Sequence, residues 1–146
     1  MTPLHLAVKN RLDVAEHLLE RKANVYAENY LGKTPLHMAT RYASGAVDLL
    51  LEHKADPDKP DNDGVTPLFE AVDMRNLKAA IRLLEEKANL NAKIHFRLTP
   101  LRLALSRSNK DMVSALCEGG ADVNAKSTVR DFTMRARRDA GALHQA

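Results

Sequence analysis

The chain has 146 residues, of which 45% are hydrophobic and 28% charged, and its formal net charge is +3. This is the balance of one ordinary globular domain, and no apolar run approaches the roughly 20 residues that a membrane-spanning helix needs. Cys117 is the only cysteine, which excludes an intrachain disulfide and a zinc ribbon.

No signal peptide opens the chain, so an intracellular setting is expected, cytoplasmic or nuclear. The charge is uneven: residues 1–93 carry 13 basic and 14 acidic side chains, and residues 94–146 carry 9 and 5. The basic excess in the C-terminal third points either to an acidic partner or to a solvated basic cap.

In chain order, "TPLHLA" at Thr2 is followed by "TPLHMA" at Thr34, "TPLF" at Thr66 and "TPLR" at Thr99, at steps of 32, 32 and 33 residues. A second block closes each unit: "LLERKANV", "LLEHKADP", "LLEEKANL" and "LCEGGADV". Two shared blocks at a constant offset, four times over, define an internal repeat. Within a unit, Thr34 is a good N-cap and Pro35 suits the first helical position, where its missing N–H costs nothing. "PLHMATRY" then reads as a short inner helix, with a tight loop at Ala43, Ser44 and Gly45. "AVDLLLEHK" reads as an outer helix with Val47, Leu50 and Leu51 on one face. "DPDKPDNDG" breaks the helix and forms a turn or hairpin to the next Thr-Pro.

Neither helix is long enough to persist alone in water, so stacking of units must supply the core. Leu4, Leu36, Leu68 and Leu101 form one apolar ladder, and Ala7, Ala39, Ala71 and Ala104 stand where helices approach closely. Leu18 and Leu19, Leu50 and Leu51, Leu83 and Leu84, then Leu116 and Cys117, form another. Cys117 is expected to be a small buried hydrophobe in a leucine slot.

The period and the T-P-L-H-x-A signature resemble the ankyrin repeat over residues 1 to about 126. The resemblance implies an all-α solenoid of about four helix-loop-helix units with β-hairpin or turn connections. A single domain is expected over 1–146. Its first repeat spans 1–28 without a leading hairpin, and the others span 29–60, 61–93 and 94–126. A degenerate capping helix follows at 127–146, with Arg135, Arg137 and Arg138 on its surface. The resemblance also implies that Thr2 with His5, and Thr34 with His37, tie one unit to the next. Phe69 and Arg102 occupy the histidine slot in the later units, which argues for a framework role and against catalysis.

Three departures from the family stand out. Lys22, Lys54 and Lys87 hold the slot after the outer helix where the family places glycine, and only Gly120 keeps it. The turn "IHFRL" before the fourth unit has Arg97 in place of the turn glycine and carries Ile94, Phe96 and Leu98, an apolar cluster of the kind that marks interaction sites or packs locally. Both ends are atypical, and the first unit is expected to be a degenerate cap or part of a longer array.

No phosphate-cradling glycine loop, nucleophile elbow or H-E-x-x-H helix is present, and "DPDKPDND" lacks the twelve-residue calcium pattern with its closing Glu. The expectation is a chain without enzymatic activity, metal, cofactor or small-molecule substrate. What the resemblance implies instead is a protein or peptide partner held on a concave surface of turn tips and inner helices. By position, the partner-binding candidates on the tips are Tyr30, Leu31, Lys33, Asn62, Asp63, His95 and Phe96, with Leu98 beside them. On the inner helices they are Arg41, Tyr42, Asp73, Met74 and Arg107, with Lys9, Asn10 and Ser106 flanking. The order of charge suits a partner that is acidic, then basic, then acidic. Two other roles remain open. One is contact with nucleic acid or another acidic surface through the basic C-terminal third, although Phe132 is the only aromatic beyond Phe96 and stacking platforms are missing. The other is a purely structural segment of a longer array. The chain is expected to be monomeric or part of a longer one.

Overall fold

The structure is a computed structural model that describes residues 1–42 and 45–124; the capping helix expected at 127–146, with its three arginines, lies outside the described residues. Among the described residues are eight α-helices: α1 Pro3–Asn10, α2 Leu12–Glu20, α3 Pro35–Arg41, α4 Ala46–Glu52, α5 Pro67–Asp73, α6 Leu77–Glu85, α7 Pro100–Ser106 and α8 Lys110–Glu118. A single 3-10 turn covers His95–Arg97. The odd-numbered helices form an inner layer in which α1, α3, α5 and α7 pack in series. The even-numbered helices form an outer layer in the same order, and each inner helix also packs on its own outer helix. The architecture is an all-α repeat solenoid.

The helix starts follow from the repeated Thr-Pro. The hydroxyls of Thr2, Thr34, Thr66 and Thr99 each accept the backbone N–H three residues on, and Pro stands at the first helical position. Asn76 and Asn109 cap α6 and α8 in the same way, at 3.1 and 3.2 Å. The outer helices end in the left-handed region at the predicted slot: Lys22 has φ 65°, Lys54 68°, Lys87 63° and Gly120 98°. After α4 the Lys54 N–H reaches the Leu51 carbonyl and the Ala55 N–H the Leu50 carbonyl, both at 3.0 Å, so this end closes as a glycine-type cap without glycine.

The apolar ladders supply the core. Leu4, Leu36, Leu68 and Leu101 are buried, as are Ala7, Ala39, Ala71 and Ala104. So are Leu19, Leu50, Leu51, Leu83 and Leu116, with Leu18 and Leu84 packed at the edge. Cys117 departs from the expectation, because it is exposed. Its slot matches Leu19 and Leu51, which are buried, and Leu84, which is partly buried; among the described residues no helix follows α8. The connections between repeats are turns; among the described residues there is no strand, only an isolated antiparallel bridge between Ile94 and Leu98. Each tip is a tight turn: the N–H groups of Asn29, Asp61 and Ile94 reach the carbonyls of Lys33, Val65 and Leu98 at 2.9, 2.9 and 3.0 Å, and those of Gly32, Gly64 and Arg97 return to the carbonyls of Asn29, Asp61 and Ile94 at 2.9, 3.0 and 2.9 Å. No described helix is long and apolar enough to cross a membrane.

A lysine at φ 68° carries a left-handed strain of about 1–2 kcal/mol. Glycine removes that strain but gains entropy when unfolded. Lys54→Gly is therefore expected to stabilise the chain by about 0.5–1 kcal/mol in urea melts.

Candidate partner-binding surface

The surface is built from tips and from the ends of inner helices. In the first tip the Asn29 side-chain oxygen accepts the N–H groups of Leu31 and Lys33 at 2.9 and 3.0 Å. In the second, Asp61 accepts those of Asp63 and Val65, both at 2.9 Å. Gly32 and Gly64 take the left-handed positions, with φ 78° and 82°. The Asn62 N–H donates to the Leu31 carbonyl and its carboxamide to the Tyr30 carbonyl, each at 3.0 Å. Gly32 is required there, because a Cβ would lie 2.3 Å from the Asn62 side-chain oxygen. This lock presents Tyr30 with 83% of its surface exposed, and Leu31 beside it also exposed.

Behind the tips lies a group that sequence reasoning missed. The Lys33 ammonium donates to Asp61 and to Glu70, both at 2.7 Å, and Arg41 donates to the second Glu70 oxygen at 3.3 Å. Asp61 and Glu70 are both buried. Burial alone would lower the Lys33 pKa, but its bonds to the two carboxylates outweigh that and raise it. Burial would likewise raise Asp61, yet the Lys33 bond and the two tip N–H donors hold it below the usual carboxylate range. Lys33 is thus half-buried frame. A signal existed: Glu70 stands in the slot held by Leu6, Met38 and Leu103 in the other repeats.

The remaining candidates fall into small groups. Lys9 sits over the ring of the exposed Tyr42, 4.6 Å from its centre. Arg107 is ion-paired with Asp73 and also donates to the Asp73 carbonyl at 3.1 Å, while Arg75 donates to the Arg107 carbonyl at 2.9 Å. The central acidic step expected from Asp63 and Asp73 is therefore partly neutralised from within. Met74 and His95 are exposed, as are Asn62, Asp63, Asn10 and Ser106, and Leu98 is half-buried. The Phe96 side chain lies outside the described residues, and no described contact joins Tyr30 to Tyr42.

The histidine slot behaves as framework. The His37 Nδ1 accepts the Thr34 N–H at 3.1 Å, which leaves Nε2 to carry the proton and donate to the Val65 carbonyl at 2.8 Å. His5 repeats this with the Thr2 N–H and the Lys33 carbonyl, at 3.2 and 2.8 Å. Burial depresses the His37 pKa, opposed by the Val65 bond; Lys33 nearby lowers it further, and Asp61 and Glu70 raise it. Among the described residues no group of three or more His, Cys, Asp or Glu side chains is placed to hold a metal ion.

The ankyrin-repeat family model, in its three-copy form, matches residues 4–94 and again 47–127. The chain belongs to the ankyrin-repeat family. Ankyrin repeats are generally protein-protein interaction modules, and their domains are typically non-catalytic. No curated protein matches the chain.

Because the folded state holds His37 neutral below its ordinary pKa of 6.5, the unfolded chain binds that proton more readily. The contribution is whole above about pH 6.5 and is lost as pH falls through the lower folded value. His37→Phe, which copies Phe69, is expected to lose about 1 kcal/mol at pH 7.5 in urea melts. Its stability is expected to fall less steeply than that of the wild type between pH 6.5 and 5.

Proposed function

We propose that this chain is a non-catalytic module that binds a protein or peptide along the tips and inner-helix ends, with Tyr30 and Leu31 as the central anchor. The observation that carries this reading is the exposure of Tyr30, at 83%, on a tip whose backbone is bonded on both sides. A large apolar ring held out into solvent by an ordered turn gains most by being covered. Aromatic side chains of this kind dominate interface hot spots. The contact strip runs on through Asn62 and Asp63 to Tyr42, Arg41, Met74, Asp73, His95, Phe96 and Arg107. Lys33 contributes by fixing the second tip from behind.

Rigidity is the mechanism. The Asn29, Asp61 and Asn62 bonds set the tips before a partner arrives, so little conformational entropy is lost on association. A small-molecule role is less well supported. Two clefts among the described residues, of about 110 and 240 Å³, are smaller than the roughly 300–1,000 Å³ of typical ligand pockets and are lined by none of these residues. Because Asp73 and Arg107 pair with each other, a mainly apolar contact is favoured.

The test is selection of peptides on the wild-type chain from a displayed library, followed by calorimetry on variants. Tyr30→Ala is expected to weaken binding by about 2 kcal/mol, roughly thirty-fold. Its urea midpoint should shift by the equivalent of less than about 0.5 kcal/mol, since the side chain is exposed. Tyr42→Ala is expected to weaken binding too, with a further small loss of stability from the Lys9 contact. Binders that tolerate both changes would place the contact on the outer layer instead.

A further inference from the structure

We propose that the boundary between the third and fourth repeats is a joint: the segment from Ile94 through α7 and α8 opens as a unit while the first three repeats stay stacked. Four differences coincide at this boundary, each judged against the equivalent positions upstream. First, the His5 ring reaches the Lys33 carbonyl and the His37 ring the Val65 carbonyl, both at 2.8 Å, but the third repeat carries Phe69 in that slot. Phe69 is buried and has no N–H to offer the Leu98 carbonyl. Second, Asn29 and Asp61 each bond two N–H groups of their own tip, and the matching residue of the next tip is Ile94, which has no side-chain acceptor.

Third, the left-handed tip position held by Gly32 and Gly64 is held by Arg97 at φ 62°, where a side chain is strained. Fourth, the first two tips are hydrogen-bonded to each other, and among the described residues the next two are not. Asn62 bonds back to both Tyr30 and Leu31, whereas among the described residues no bond joins Asp63 to His95. A Cβ on Gly32 would lie 2.3 Å from Asn62, but one on Gly64 would meet the Ile94 side chain only at 3.9 Å.

The polar ties that do cross this boundary are of a weaker kind. The boundary between the second and third repeats holds the buried Lys33, Asp61 and Glu70 group. Among the described residues the next boundary holds the exposed Arg107–Asp73 pair, the bonds from Arg107 to the Asp73 carbonyl and from Arg75 to the Arg107 carbonyl, and a 3.3 Å bond from the Asp122 N–H to Asn91. Exposed pairs are screened by salt and stabilise little. What remains is the apolar packing of α7 and α8 on α5 and α6. That packing is no thinner than at the upstream boundaries, so the difference lies in the polar ties and the tip, and local openings follow cooperative units of this size. Met74 and Arg107 lie on either side of the joint, so opening alters the spacing along the inner surface whether or not a partner binds there.

The experiment is native-state hydrogen exchange of the full chain, read by mass spectrometry in sub-denaturing urea. Amides of α7 and α8 are expected to exchange through an opening that leaves α3 to α6 protected, and added sodium chloride should promote it. Two repairs act separately. Phe69→His restores the ring donor, and the double change Ile94→Asp with Arg97→Gly restores the tip at the surface, away from the buried Phe69 slot. Phe69→His is expected to slow exchange in α7 and α8 by roughly five-fold, the weight of one net hydrogen bond, and the tip repair by at least as much, with little change in α3 and α4. Stepwise fraying, in which α8 exchanges while α7 stays protected, also overturns the joint. If Phe69→His fails to fold, the surface repair decides. Exchange in α7 and α8 as slow as in α3 and α4, or unmoved by the surface repair, overturns the joint.

Discussion

Helices of seven to nine residues do not persist in water by themselves, and every described helix of this chain is in that range. Each exists because a neighbour covers its apolar side. Stability therefore resides at the boundaries between repeats, and the features that matter most reach across one. The His37 ring is the clearest case. One nitrogen holds the start of its own helix, and the other holds the turn that opens the next repeat. A single side chain so couples the geometry of two repeats, and it can do so only when neutral and in one tautomer.

How far this was legible in the sequence depends on whether a feature repeats. The Thr-Pro caps, the leucine and alanine ladders and the left-handed lysines recur at fixed offsets, so one unit teaches the reading of the next. Lys54 at φ 68° was foreseeable because family glycine marks the slot. The Lys33, Asp61 and Glu70 group was not foreseen, since its members are 28 and 37 residues from Lys33 and occur once. Its one trace in sequence is a glutamate in an apolar slot. Cys117 misled for the opposite reason: the slot recurs, but its burial does not, for Leu19 and Leu51 are buried, Leu84 only partly, and Cys117 is exposed.

The same distinction governs the candidate surface. Position in the repeat correctly places Tyr30, Leu31, Tyr42 and Met74 where solvent reaches them. It does not reveal which charged candidates are already satisfied. Lys33 and Arg41 share Glu70, and Asp73 is held by Arg107, so charges counted along the chain overstate what a partner would meet. Tyr30 and Leu31 stay exposed, and the proposed function accordingly rests on apolar contact more than on ion pairing.

Substitution along the array is not uniform, and its direction has a physical consequence. The first two tips hold asparagine or aspartate, glycine and a bond between them; the third holds isoleucine and arginine. The histidine slot changes from His5 and His37 to Phe69 at the same place. Each change alone removes about one net hydrogen bond or adds about 1–2 kcal/mol of backbone strain. Together they fall at one boundary, and contacts that share a boundary act on the same equilibrium. A repeat protein behaves nearly as a one-dimensional chain of units with nearest-neighbour coupling. In such a chain, lowering one coupling leaves the others intact, so an ordered tip at Tyr30 is compatible with the proposed joint before Arg107.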